Sequence, residues 1–265
     1  MRAMRTAASV LALTLHLTAQ AATAALPPPP TQLVCTPDAT TRWRVSRDAN
    51  GAPLQVSVGI AAGTRECDFR SPGAPTALPD GGWRFEWDDE ELGEHQRVDV
   101  VRAGAEGFTL KLKPAACGAL KLPASVTMMP ATQGCRVSVD RDGAFDQFWR
   151  QLRDALARAD GELLQQLALP QLEFVEGPDI VKAPDTVMRR AARCLPRVTA
   201  TMQRLELREL LQAGQPPRLD MPPLSRKGET RIDIAGAMDL RWTPQGWRMA
   251  GFNASRDVFE KCPAR

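Results

Sequence analysis

The stretch Val137-Ser138-Val139-Asp140-Arg141-Asp142-Gly143-Ala144-Phe145-Asp146-Gln147-Phe148-Trp149 decides the fold, because the spacing of apolar residues changes partway along it. Up to Val139 they recur at every second position, with Cys135, Val137 and Val139 on one face. That is the period of a half-buried strand. From Phe145 onward Phe148, Trp149, Leu152 and Leu156 fall three, four, seven and eleven positions later, the stripe of an amphipathic helix. Asp142 or Gly143 suits the start of that helix as a cap. A boundary near residue 140 follows.

Before the boundary, alternation dominates. Trp43 and Val45 alternate with Arg42, Arg44 and Ser46, and Leu54, Val56, Val58 and Ile60 with small or polar residues. Trp83, Phe85 and Trp87 share a face, as do Phe108, Leu110 and Leu112. Asn50-Gly51 and the Ala103–Gly107 segment sit between alternating runs as hairpin turns. About six to eight short strands at this spacing predict an all-β sandwich or barrel over residues 41–139. Residues 25–40, with Pro27-Pro28-Pro29-Pro30, read as a stiff Pro-rich lead into it.

After the boundary, Glu162 to Leu169 reads as a short helix stopped by Pro170. Asp185 reads as the cap of a third helix, with Val187, Met188, Ala191 and Leu195 inward. A fourth runs from about Met202 to Ala213 and ends at Gly214. Pro216, Pro217, Pro222 and Pro223 mark a loop. Ile232 and Ile234, Leu240 and Trp242, then Trp247 and Met249 after Thr243-Pro244-Gln245-Gly246, read as closing strands. Residues 140–265 are therefore expected to form an α+β domain, the second of two.

The chain opens on Met1-Arg2-Ala3-Met4-Arg5, an apolar run from Thr6 to Thr18, and Ala19-Gln20-Ala21-Ala22-Thr23-Ala24. This is the order of a secretory signal peptide over residues 1–24, with cleavage after Ala24. The apolar run falls short of the ~20 residues a spanning helix needs, so no membrane span is expected after cleavage. Removing the segment takes Arg2 and Arg5 and no acid, lowering the formal charge from +3 to +1. So small an excess argues against nucleic acid as a partner. A periplasmic or secreted location follows.

All six cysteines, Cys35, Cys67, Cys117, Cys135, Cys194 and Cys262, lie beyond the signal peptide. An even number in an oxidising compartment reads as three disulfides. Six cysteines allow fifteen pairings. Pairing neighbours gives Cys35–Cys67, Cys117–Cys135 and Cys194–Cys262.

Motifs that carry chemistry are sparse. Asp88-Asp89-Glu90-Glu91, with Glu94 and His95 behind it, could present carboxylates to a hard cation, but reads first as a solvated loop. Asp140-Arg141-Asp142-Gly143 departs from a calcium loop because Ala144 stands at the third ligand position. Arg189, Arg193 and Arg197, with Arg190, read as an exposed helix face. No G-x-S-x-G, S-x-x-K, H-E-x-x-H, P-loop or G-x-G-x-x-G occurs. No catalytic residue, metal site or cofactor is expected.

Phe148-Trp149-Arg150-Gln151-Leu152-Arg153-Asp154-Ala155, followed by Asp160, Leu163–Leu169 and the late Gly246-Trp247-Arg248-Met249, resembles the NTF2-like (SnoaL-like) family over residues 142–255. The resemblance implies an α+β cone with a pocket between helices and sheet. Such pockets serve isomerases, dehydratases and non-catalytic binders, the enzymes using Asp, His or Tyr. Residues 142–265 hold neither His nor Tyr. Cys67-Asp68-Phe69, Gly82-Trp83-Arg84-Phe85-Glu86-Trp87 and Cys117-Gly118 resemble β domains of exported proteobacterial proteins, which implies no activity. The expectation is an exported, non-catalytic envelope protein binding a protein partner or a small apolar ligand, the latter among Phe148, Trp149, Leu152, Trp242 and Trp247. The alternative is a small-molecule enzyme of isomerase, dehydratase or hydrolase type using the same cone.

Overall fold

Alternating side chains let strands of the first half bury one face each, and ten of them pair into two antiparallel five-stranded sheets. The computed structural model describes residues 26–90, 93–113, 116–117, 120–195, 202–213, 216–217 and 230–262. The expected signal peptide, Glu91, Pro196, Arg197, Gly214, Pro222 and Pro223 lie outside them. The first sheet is built from β1 (Thr31–Cys35), β2 (Thr41–Arg47), β3 (Pro53–Ala62), β4 (Arg65–Arg70) and the distant β12 (Cys135–Val139), in the order β12-β1-β2-β3-β4. The second holds β5 (Thr76–Ala77), β6 (Trp83–Asp89), β7 (Glu94–Ala103), β8 (Gly107–Lys113) and β11 (Ser125–Met128), in the order β11-β8-β7-β6-β5. Between them β9 (Ala116–Cys117) and β10 (Leu120–Lys121) form a two-stranded ribbon. Leu33, Trp43, Val45, Val56 and Val58 of the first sheet share one core with Phe85, Val98, Val100, Phe108 and Leu110 of the second. The turn at Asn50-Gly51 closes β2 on β3, with Gly51 at φ 77°, where a Cβ would be strained.

A second core spans residues 144–259. Asp140 caps α1 (Arg141–Arg158), its carboxylate accepting from the Gly143 N–H at 3.0 Å. The cap therefore lies ahead of the expected Asp142 or Gly143. Asp160 caps α2 (Gly161–Gln166) in the same way through Leu163. β13 (Ala168–Glu176), β14 (Asp179–Pro184), β15 (Arg231–Ile234), β16 (Met238–Thr243) and β17 (Gly246–Phe252) form a third sheet in the order β14-β13-β17-β16-β15. It is antiparallel except where β13 runs parallel to β17. A 3-10 turn (Asp185–Val187), α3 (Met188–Cys194), α4 (Met202–Ala213) and α5 (Asp257–Glu260) complete the described elements.

The fold class differs from the expected pairing of a β domain with an α+β cone. Among the described residues strand outweighs helix about two to one, three five-stranded sheets dominate, and no cone is evident. The error arose at residues 168–184. Pro170 reads as the stop of a helix over Glu162–Leu169, whereas that helix ends at Gln166 and a strand runs through Pro170: Leu172 and Phe174 alternate into the core, and Gly177, at φ 67°, turns β13 into β14. Asp185 is no side-chain cap either: its carboxylate accepts from Gln165 at 3.1 Å. The Pro-rich lead is more than a spacer. Pro30 accepts from the Asp140 N–H at 2.9 Å, Pro27 from Gln147 at 3.3 Å, and Leu26 packs on the second core.

Three disulfides are present, but two of the neighbour pairings are replaced. Cys35 joins Cys135, directly opposite across β1 and β12, and Cys67 joins Cys117. Pairing neighbours in sequence fails here because β12 returns to the start of the sheet. Cys194–Cys262 forms as expected, tying α3 to the turn after α5. Three such bridges mark an oxidising compartment, extracellular or periplasmic. Among the described residues no helix is long and apolar enough to cross a membrane.

Candidate functional site

The α1 stripe places Phe148, Trp149 and Leu152 against the third sheet, where Trp242 and Trp247 project from β16 and β17. The five expected pocket residues thus meet in one core, none more than 8% exposed. Phe145, outside that set, joins them: its ring lies 5.8 Å from Trp149 and 6.5 Å, edge-on, from Trp247. Trp247 in turn meets Trp242 edge-on at 5.4 Å. Such offset and edge-on contacts are the preferred aromatic geometries. Trp247 Nε1 donates to the Arg141 carbonyl at 2.9 Å, joining the sheet to the first turn of α1. Trp149 Nε1 is buried without a hydrogen-bond partner among the described residues.

His95 lies outside this core, on the outer face of β7. Its Nδ1 sits 2.8 Å from Asp88 and its Nε2 3.1 Å from Glu86. The hydrogen bonds to Asp88 and then Glu86 raise its pKa above the usual histidine value. One carboxylate at each ring nitrogen makes a pH-sensitive surface pair. The arrangement gives no single point of convergence for a cation, and no metal-holding group is found among the described residues.

One constellation escaped the reading of the sequence. Arg44 and Ser46 alternate with core residues on β2 and read as solvent-facing, yet Ser46 is 2% exposed. The first turns of α1 cover that outer face. Arg44 pairs with Asp142 at 3.4 Å, and Arg70 of β4 with Asp146 at 3.2 Å. A Cβ on Gly143 would collide with the Asp140 carboxylate and approach Ser46 Oγ to 3.1 Å, so any side chain here would push the capping carboxylate aside. Burial pushes the Asp146 carboxyl above the usual aspartate value, against the pull of Arg70 and Arg150. The signal available in the sequence was the i, i+4 spacing of Asp142 and Asp146 behind a cap, facing two arginines on strands.

Of the expected helix-face arginines, Arg189 pairs with Glu162 at 3.4 Å and Arg190 donates to the Glu260 carbonyl at 3.1 Å. No protein-family model, curated protein or solved structure matches the chain.

Proposed function

We propose that the chain is an exported, non-catalytic protein of the cell envelope that works by binding a protein partner or a small ligand. On this reading residues 1–24 are removed and the remainder is released into the periplasm or medium. The observation that supports it is the bracing of the molecule by Cys35–Cys135, Cys67–Cys117 and Cys194–Cys262, with the sheet-to-helix pairs Arg44–Asp142 and Arg70–Asp146 between the two cores. Such bracing suits a scaffold outside the cytoplasm that presents surface to a partner. The test is retrieval of partners from periplasmic extract on the oxidised exported chain, alongside native mass spectrometry for bound small molecules. A ligand held at a fixed stoichiometry by the oxidised chain and released on reduction supports binding. Turnover of a substrate that is lost in His95→Ala overturns the non-catalytic reading.

A further inference from the structure

The register of the third sheet sets three arginines side by side. Arg231 of β15 lies opposite Arg241 of β16, and Arg241 lies opposite Arg248 of β17. All three belong to the face turned away from the helices, since Ile232, Leu240, Trp242, Trp247 and Met249 fill the core on the other face. Directly opposed like charges weaken a sheet. The neighbouring row could offset them, because it carries Asp233, Asp239 and Glu173. Its carboxylates are engaged elsewhere. Arg231 turns to Asp239 at 2.6 Å and to Glu173 at 3.5 Å, while Asp233 accepts from the Gly236 N–H. The Arg241 side chain makes no hydrogen bond or ion pair among the described residues. Arg248 spends one N–H on the Trp247 carbonyl at 2.8 Å and reaches no carboxylate among the described residues, and its half-buried setting disfavours its charge. Of the three arginines in this row, Arg231 alone reaches a carboxylate among the described residues.

We propose that Arg241 and Arg248 form an anion site on the outer face of the third sheet, taking a phosphate- or sulfate-class oxyanion between their guanidinium groups. Two planar forks on adjacent strands suit the several acceptor oxygens of such a group. Gly246, two residues before Arg248 on the same strand, adds no side chain beside them; a Cβ there would come into ordinary contact with the Arg248 guanidinium at 3.7 Å and Pro29 at 3.8 Å. The assignment deepens the binding reading above and rests on it, in that the chain holds the oxyanion without turning it over.

The test uses the exported chain and inorganic phosphate as probe, titrated calorimetrically at fixed ionic strength against chloride. One saturable site per chain is expected, weakened at least tenfold in R241Q and in R248Q and unchanged in R136Q, an exposed arginine on β12. Melting separates a ligand site from a structural role. Without phosphate the R241Q/R248Q double variant should melt at or above wild type, because opposed charges have been removed. With phosphate, wild type gains about 2 °C or more and the double variant does not. Glycerol phosphate and phosphatidylglycerol vesicles distinguish the source of the oxyanion, and uptake of either through Arg241 and Arg248 supports the site. Phosphate uptake no stronger than chloride, or unaltered by R241Q/R248Q, overturns it while leaving partner capture by the scaffold untouched. Hydrolysis of a phosphate ester that is lost in R248Q supports the site and overturns the non-catalytic reading instead.

Discussion

Arg70, on the edge strand β4, reaches 3.2 Å across to Asp146 on α1, so an ion pair bridges the outer face of the first sheet and the helix that begins the second core. Burial raises the Asp146 pKa above 3.8 even with Arg70 beside it. The folded chain then keeps a proton that the unfolded chain has released, so this carboxylate weakens the fold as pH rises through the window just above 3.8. Arg70→Ala removes the compensating charge and should cost about 1 kcal/mol at pH 7, a value discounted for partial exposure. In an Asp146→Asn background the same change should cost almost nothing. Urea unfolding of the four members of the cycle measures this, and equal costs in both backgrounds would contradict the bridge.

Asp99 runs the opposite way. Arg84 first and Arg97 after it hold its carboxyl down to about 2, against burial. Its contribution is fully present above 3.8 and is lost as pH falls from there through about 2. Asp99→Asn should cost about 1 kcal/mol at neutral pH and flatten the acid unfolding curve over that interval. An acid limb identical to wild type would show that the two arginines lend it no stability.

Gly143 sits where the first turn of α1 meets Ser46 of the first sheet. Gly143→Ala should destabilise by about 1–2 kcal/mol, because the added methyl must displace the capping carboxylate of Asp140. Alanine in a helix is otherwise favoured over glycine by about 1 kcal/mol, so a stabilising outcome in thermal melts would place the seam elsewhere.

Peptide mapping without reduction should recover Cys35–Cys135, Cys67–Cys117 and Cys194–Cys262, with no titratable thiol in denaturant. Replacing Cys35 and Cys135 together by Ala should cost about 2–4 kcal/mol in urea unfolding.

What could be read from the residues was periodicity within elements. Trp43 with Val45, Phe108 with Leu110 and the Phe145–Leu152 stripe all bury as their spacing predicts. What could not be read was which strand lies beside which. β12 pairs with β1 across a separation that local pattern does not encode, and this single pairing reassigns two disulfides. The same limit hid the Arg231–Arg241–Arg248 row, whose members are ordinary outward residues until register aligns them. It also hid the burial of Ser46, since alternation marks a sheet's second face as polar without saying what covers it. Pro170 misled because a proline near a strand's start costs no ladder bond that the sheet needs.

Trp149 and Trp247 offer a matched comparison inside one core, being 0% and 1% exposed. Replacing either by Ala should cost about 3–5 kcal/mol, the penalty of a large cavity. Replacement by Phe separates them. Trp247→Phe removes the N–H that satisfies the Arg141 carbonyl at the first turn of α1, whereas Trp149→Phe removes an N–H with no partner. Both variants lose similar volume, so Trp247→Phe should be the costlier by about 1 kcal/mol. Urea titrations followed by far-UV circular dichroism report the difference without depending on the altered fluorophore. Equal costs would mean that the Trp247 hydrogen bond contributes nothing to holding α1 on the sheet.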